Sequence, residues 1–283
     1  MKEKPSGTLY VCGTPIGNLE DITLRVIRIL GEVDLIASED TRNTAKLLKK
    51  FDITTKQTSY HRHNINIKTQ KLIEKLKNGE NIALVSDAGM PGISDPGEDI
   101  ISLCIKEGIP VTVLPGPSSV TTALVLSGIS TQKFVFEGFL PRDGKTRKKK
   151  LKELKEEART IVIFLSPHRI SRELKDLDGV MGNRNVFLGR ELTKRFEECF
   201  RGTVQELISH IENREIKGEI TLVVEGKKYD TMTVHSEKDI ETLLKELHSE
   251  GLYGKDAIKK AASIKGLHKS EVYKIYLSIK NML

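Results

Sequence analysis

The chain has 283 residues, 38% of them apolar and 30% charged, with a formal net charge of +7. That length accommodates two domains of ordinary size, and no apolar run approaches the roughly 18 residues of a membrane-crossing helix. Cys12, Cys104 and Cys199 stand far apart with no CxxC pair, and the start Met1-Lys2-Glu3-Lys4-Pro5 has no apolar leader. Neither a disulfide framework nor a zinc site is suggested, and a reducing cytoplasm is expected.

Short apolar runs alternate with amphipathic segments along the chain. Strands are predicted over 8–12, 35–38, 82–85, 111–114, 134–136, 160–165, 185–188 and 220–224. Helices are predicted over 24–30, 44–50, 69–77, 98–106, 120–127, 148–157 and 204–212. Leu72, Ile73 and Leu76 keep the helical period, as do Ile100, Ile101, Cys104 and Ile105. Such alternation predicts an α/β fold with a largely parallel sheet, hinged near residues 128–133. The last stretch differs. Ala257, Ile258, Ala261 and Ala262 share one helical face, Gly266 interrupts it, and Ser270 is the expected N-cap of a helix carrying Val272, Ile275, Tyr276 and Ile279. Ala262, Gly266 and Val272 suit a helix-turn-helix; the plainer alternative is a helical hairpin that only packs.

Charge is uneven. Residues 142–159 and 252–283 each carry a net +5, so the rest of the chain is mildly acidic. Two basic segments on such a body suit a polyanion such as nucleic acid, though solvated helix faces would look the same.

The strand ends carry the chemistry. Ser86–Gly97, after the run 82–85, and Pro115-Gly116-Pro117-Ser118-Ser119, after 111–114, are glycine-proline loops; Gly13-Thr14-Pro15-Ile16-Gly17-Asn18-Leu19 follows the first strand. Ligands bind at the carboxyl ends of strands in open α/β sheets. None of these loops is G-x-G-x-x-G, and no P-loop occurs. Ser38-Glu39-Asp40-Thr41-Arg42 sets acids beside an arginine, to orient a substrate or to cap the next helix. His61-Arg62-His63-Asn64 reads as a polar substrate loop rather than a metal site, so no metal is expected. Ser166-Pro167-His168-Arg169 and Gly189-Arg190-Glu191-Leu192-Thr193-Lys194 place further charge beyond strand ends.

These motifs, with Glu137-Gly138-Phe139-Leu140-Pro141, occur in an order that resembles the ribosomal RNA small subunit methyltransferase I family of the tetrapyrrole methylase superfamily, over about residues 8–228 and again in the tail. The resemblance implies two α/β domains of tetrapyrrole methylase type, at residues 1–129 and 130–229, and a small basic helical C-terminal module at 230–283. It implies a homodimer, S-adenosyl-L-methionine held between the two domains, and 2′-O-methylation of a cytidine ribose in the decoding centre of 16S rRNA in the small ribosomal subunit. Cofactor-binding positions map onto Thr14, Pro15, Ile16, Gly17, Asp87, Gly89, Met90, Ile93, Ser118 and Ser119, and in the second domain onto Leu165, Leu192 and Thr221. One departure is Leu165, where relatives often carry Glu before Ser-Pro-His-Arg. Deprotonating the hydroxyl needs a positioned base or a water, and Glu39, Asp40 and His63 are the candidates. Arg42, Lys148, Lys149, Lys259, Lys260 and Lys269 are the expected RNA contacts. A small-molecule tetrapyrrole methylase would need no basic tail. A non-enzymatic RNA-binding ribosome-assembly protein would leave the cofactor-like loops unexplained.

Overall fold

The computed structural model describes residues 5–228, 237–265 and 267–280. They form two compact units, Met1–Gly226 and Lys227–Leu283. Gly266 and the expected boundary at 229/230 lie outside the described residues.

The first sheet contains β1 (Leu9–Cys12), β2 (Leu35–Ser38), β3 (Gln57–Ser59), β4 (Ile82–Val85) and β5 (Val111–Leu114) in the order β3-β2-β4-β1-β5. Every pairing is parallel. Helices α1 (Leu24–Glu32) and α2 (Thr41–Lys50) bury Val26, Ile29, Leu30, Leu47 and Leu48 in one core, which also takes in Cys12 and Val85. Helices α3 (Ile65–Lys77) and α4 (Glu98–Lys106) bury Leu72, Ile73, Leu76, Ile100 and Cys104 in a second core with Leu9, Val11 and Leu84. Val11 and Cys12 are neighbours on one strand yet belong to different cores, because successive strand residues face opposite sides of the sheet. Thr23 starts α1 by accepting the Val26 N–H at 3.2 Å. Burial drives the Cys12 thiol up to about 12 and Cys104 to about 11, so both stay protonated and inert.

The second sheet differs from the expectation of largely parallel strands. It contains β6 (Phe134–Phe139), β7 (Thr160–Leu165), β8 (Asn185–Arg190), β9 (Glu198–Thr203) and β10 (Ile220–Val224) in the order β6-β7-β10-β8-β9. Only β6 and β7 run parallel; β10 is antiparallel to both neighbours, and β9 returns antiparallel on β8. The turn between β8 and β9 is too short to hold a crossover helix, so an antiparallel return follows. Helices α6 (Gly144–Lys155), α7 (Ile170–Met181) and α8 (Val204–Ile211) pack Leu151, Leu154, Leu174, Leu177 and Leu207 against one face of this sheet. The other face is covered by α5 (Ser119–Ser127), which packs Val120, Ala123 and Leu124 on Val162, Phe187 and Val223. Helix α5 follows β5 of the first sheet and covers the second, so one core joins both halves.

Among its described residues the second unit contains three helices, α9 (Glu237–Ser249), α10 (Gly254–Lys265) and α11 (Lys269–Ile279). Leu244 and Leu247 meet Ala257, Ala261, Ala262 and Val272 in its core, so the expected alanine face is buried. The N-cap is His268 rather than Ser270: the His268 N–H donates to Glu271 Oε2 at 3.1 Å, and Ser270 lies inside the helix. Among the described residues no helix is long and apolar enough to cross a membrane.

Candidate active site

Parallel pairing brings the carboxyl ends of β1, β2, β4 and β5 to one edge of the first sheet, and their loops line a cavity of about 380 Å³ against the second sheet. That size is ordinary for a small-molecule or cofactor site.

The loops are tied to one another. Thr14 and Gly89 exchange backbone hydrogen bonds at 2.9 and 3.0 Å, and the buried Thr14 hydroxyl donates to the Ser86 carbonyl at 3.1 Å. Behind them the loops after β1 and β5 touch backbone to backbone: a Cβ on Gly13 would lie 2.7 Å from Gly116 Cα. From the second half of the unit, Leu192 and Thr193 close on Gly17, where a Cβ would meet the Thr193 hydroxyl at 2.7 Å. Thr14, Pro15 and Gly17 therefore shape the site without lining the cavity.

The other mapped cofactor positions converge. Ile16, Asp87, Gly89, Met90, Ile93, Ser118 and Ser119 line the cavity from the first half, with Leu165, Leu192 and Thr221 from the second. Leu165 is buried at the end of β7 and presents an apolar surface to the cavity. Asp87 is held at both oxygens, accepting from the Asp40 N–H and from Asn43 Nδ2, each at 3.1 Å. The apolar walls, exposed loop backbone and one anchored carboxylate fit a ligand with an aromatic ring, hydroxyls and an amine.

The three base candidates separate. Glu39 lines the cavity, and its Oε2 accepts the Asp87 N–H at 3.3 Å. Burial raises the Glu39 carboxyl above its ordinary value, aided by the Asp87 charge and opposed by the Asp87 N–H, Arg62 and His61. Asp40 caps α2, accepting from the Arg42 N–H at 2.9 Å and pairing with its guanidinium at 2.6 Å. Those hydrogen bonds hold Asp40 at about 2, and it does not line the cavity. His63 is exposed and stacks edgewise on His61 at 5.9 Å, also away from the cavity.

Residues beyond the mapped set complete the lining, among them Ser94, Asp95, Phe139, Phe164, Gly218 and Glu219. Asp95 lies in the glycine-proline loop after β4, and Phe139 in the Glu137–Pro141 motif. Gly218 and Glu219 carry no sequence signal of their own. Of the expected RNA contacts, Arg42 spends its charge on Asp40, while Lys148 stands 3.5 Å from Asp176. Lys149 on α6 and Lys259, Lys260 and Lys269 in the helical module are exposed.

Residues 8–208 match the model of the tetrapyrrole (corrin/porphyrin) methylases. The chain is 47% identical over 275 residues to ribosomal RNA small subunit methyltransferase I of Halalkalibacterium halodurans, covering 95% of this chain and 94% of that protein. It is 50% identical to the namesake from Thermotoga maritima, all of which aligns with 78% of this chain. Among solved structures, a cobalt precorrin-4 methyltransferase superposes with a TM-score of 0.57 at 18% identity, covering 77% of this chain and 94% of that one. The Thermus thermophilus uroporphyrin-III C-methyltransferase does so with a TM-score of 0.54 at 20% identity, with the same coverage. On the shared identity over nearly its whole length, the chain belongs to the ribosomal RNA small subunit methyltransferase I family, within the tetrapyrrole methylases.

Proposed function

We propose that this chain methylates the 2′-hydroxyl of a cytidine ribose in the decoding centre of 16S rRNA, acting in the cytoplasm as a homodimer. S-adenosylmethionine is the methyl donor. The observation that carries the reading is the convergence of the tied loops on one cavity in a chain so similar to small-subunit rRNA methyltransferases. The backbone of Gly89, Met90, Ser118 and Ser119 would hold the donor, with Ile16, Leu165 and Leu192 against its apolar parts and Asp87 toward a hydroxyl or amine. Calorimetry tests this half of the reading: saturable binding of S-adenosylmethionine to the native chain is expected, and no binding contradicts it. Light scattering tests the assembly; 31.7 kDa across micromolar concentrations would rule out the dimer.

The C-terminal module is assigned to RNA affinity, not to transfer. The family match ends at residue 208, and the whole Thermotoga maritima relative aligns with only 78% of this chain. Exposed lysines that neutralise phosphates give affinity that falls with salt. Replacing Lys259, Lys260 and Lys269 together by Gln should weaken binding to the small subunit. It should also reduce the slope of log affinity against log salt by about 2. Donor affinity should not change. An unchanged salt slope in a filter-binding titration would make the module purely structural.

A further inference from the structure

Among the described residues two aromatic rings line the cavity, Phe139 and Phe164. Phe164 is half-buried on the α5 side of the second sheet, where Phe136 meets it edgewise at 5.0 Å between ring centres. The Phe139 ring lies 5.5 Å from Phe164 but is 53% exposed, so it stands at the cavity mouth. A register shift puts it there. Phe136 pairs with Val162 and Phe139 with Phe164, so β6 spends one residue more than β7 over the same stretch. Without that extra residue Phe139 would turn to the face of Ile161 and Ile163, which is packed under α6, α7 and α8. Gly138 makes the shift, at φ +63°. A Cβ there would also fall 2.8 Å from the Ser94 hydroxyl, so the loop after β4 seats directly against the turn that aims the ring.

We propose that Phe139 stacks on the base of the target nucleotide and so presents its ribose to the methyl donor. The assignment rests on the methyltransfer reading above. A cavity of about 380 Å³ holds one cofactor-sized molecule, so the substrate nucleotide meets the donor at the mouth. The donor's apolar contacts fall to Ile16, Leu165 and Leu192, which are buried while Phe139 is not. An enzyme that acts on one nucleotide of a folded RNA takes it out of its stack. The extruded base gives up a stacking partner, and an exposed aromatic ring replaces it. Because the base is fixed to its ribose, a stack on the base also restrains the 2′-oxygen that must approach the methyl group in line. Cations flank the ring. Exposed Arg62 donates from Nη2 to the Ser94 carbonyl at 2.6 Å, on the loop that seats against Gly138. Exposed Arg142 and Lys145 follow Phe139 in the chain. These suit the phosphates beside an extruded nucleotide, which position the strand without reading its bases.

The test compares the native full-length chain with Phe139→Ala, Phe139→Leu, Phe139→Tyr and Phe139→Trp, on small ribosomal subunits that lack ribose methylation in the decoding centre. Loss of one base–aromatic stack should lower kcat/KM for the subunit roughly 5–100-fold in Phe139→Ala. Phe139→Leu keeps an apolar side chain without a ring face and should fall with it, while the two aromatic variants should stay near the native value. Calorimetry should give all five chains the same affinity for S-adenosylmethionine. The native chain has no tryptophan, so Phe139→Trp carries a single indole. Its emission should be quenched when small subunits are added to the chain already saturated with S-adenosylhomocysteine. A Phe139→Leu chain that transfers at the native rate shows that no ring face is used and overturns the assignment. A Phe139→Ala chain that loses donor affinity in proportion to its rate places the ring in the donor pocket and overturns it too, as does an indole signal that the subunit leaves unchanged. Each of these outcomes leaves the methyltransfer reading standing; a native chain that transfers nothing to the small subunit overturns both.

Discussion

Gly116→Val should weaken S-adenosylmethionine binding by roughly 10–100-fold, as strain of about 1–3 kcal/mol in a packed region implies. A Cβ at Gly116 would lie 2.8 Å from Gly13 Cα and 3.0 Å from the Gly13 carbonyl carbon. These are backbone atoms, so no rotamer change relieves the contact. Gly13 is enclosed in the same way, by Gly116 and by Met90 Sδ at 2.6 Å. The loops after β1 and β5 would have to separate, and Ser118, Ser119 and Met90 would leave their places on the cavity wall. Gly31→Ala is the matched control, because that glycine, in α1, has open space around it. It should bind the donor like the native chain and gain about 1 kcal/mol of stability from helix propensity. Calorimetry beside thermal melts separates the two effects; native affinity in Gly116→Val would show that the paired glycines do not shape the site.

Arg147→Met should cost about 3–5 kcal/mol of folding stability, the range found when a buried ion pair loses one member. Arg147 is 1% exposed, among the largest wholly buried side chains. Its Nε and Nη2 donate to Asp176 Oδ2 at 2.9 and 2.6 Å, and its Nη1 reaches the carbonyls of Pro141 and Arg142 at 3.1 and 3.0 Å. One side chain thus joins α6, α7 and the motif that ends β6. Methionine would fill much of the volume and leave a carboxylate and two carbonyls without that partner. Burial pushes the Asp176 carboxyl up, and the hydrogen bonds and charge of Arg147, with Lys148, outweigh it and hold the group below its ordinary value. That part of the stability is therefore present above about pH 4 and lost as the pH falls through the lowered folded value. Arg147→Met should lack this acid-side loss. Adding Asp176→Leu to Arg147→Met should recover much of the stability, since it removes the orphaned charge. Urea unfolding measures all three chains; a cost under about 1 kcal/mol for Arg147→Met would show that the pair is solvated in solution.

What could be read ahead of the structure follows from how each element announces itself. β4 is wholly apolar, β5, β7 and β10 are apolar runs with one threonine each, and their predicted limits coincide with the observed ones. β3, Gln57–Ser59, and β9, Glu198–Thr203, are polar and half-exposed, so hydropathy is silent there. Helix α7 did carry a signal, in Ile170, Leu174, Leu177 and Met181, but a buried Glu173 breaks the apolar pattern. Strand direction leaves no trace in an apolar run, which is why the mixed, mostly antiparallel second sheet differed from expectation. The site divides along the same line. Loops built from glycine and proline at strand ends are visible in sequence. Which acids face the cavity is not, because the lining by Glu39, Asp87, Asp95 and Glu219 arises only when the strand ends come together.

The most direct measurement uses S-adenosylmethionine labelled in its methyl group, with the full chain and small ribosomal subunits whose 16S rRNA lacks ribose methylation in the decoding centre. The expected result is one label per subunit, on a cytidine of that centre, in a dinucleotide that survives alkali because a methylated 2′-oxygen cannot attack the adjacent phosphate. Label on a base, or none in 16S rRNA while the chain binds the donor, would contradict the assignment.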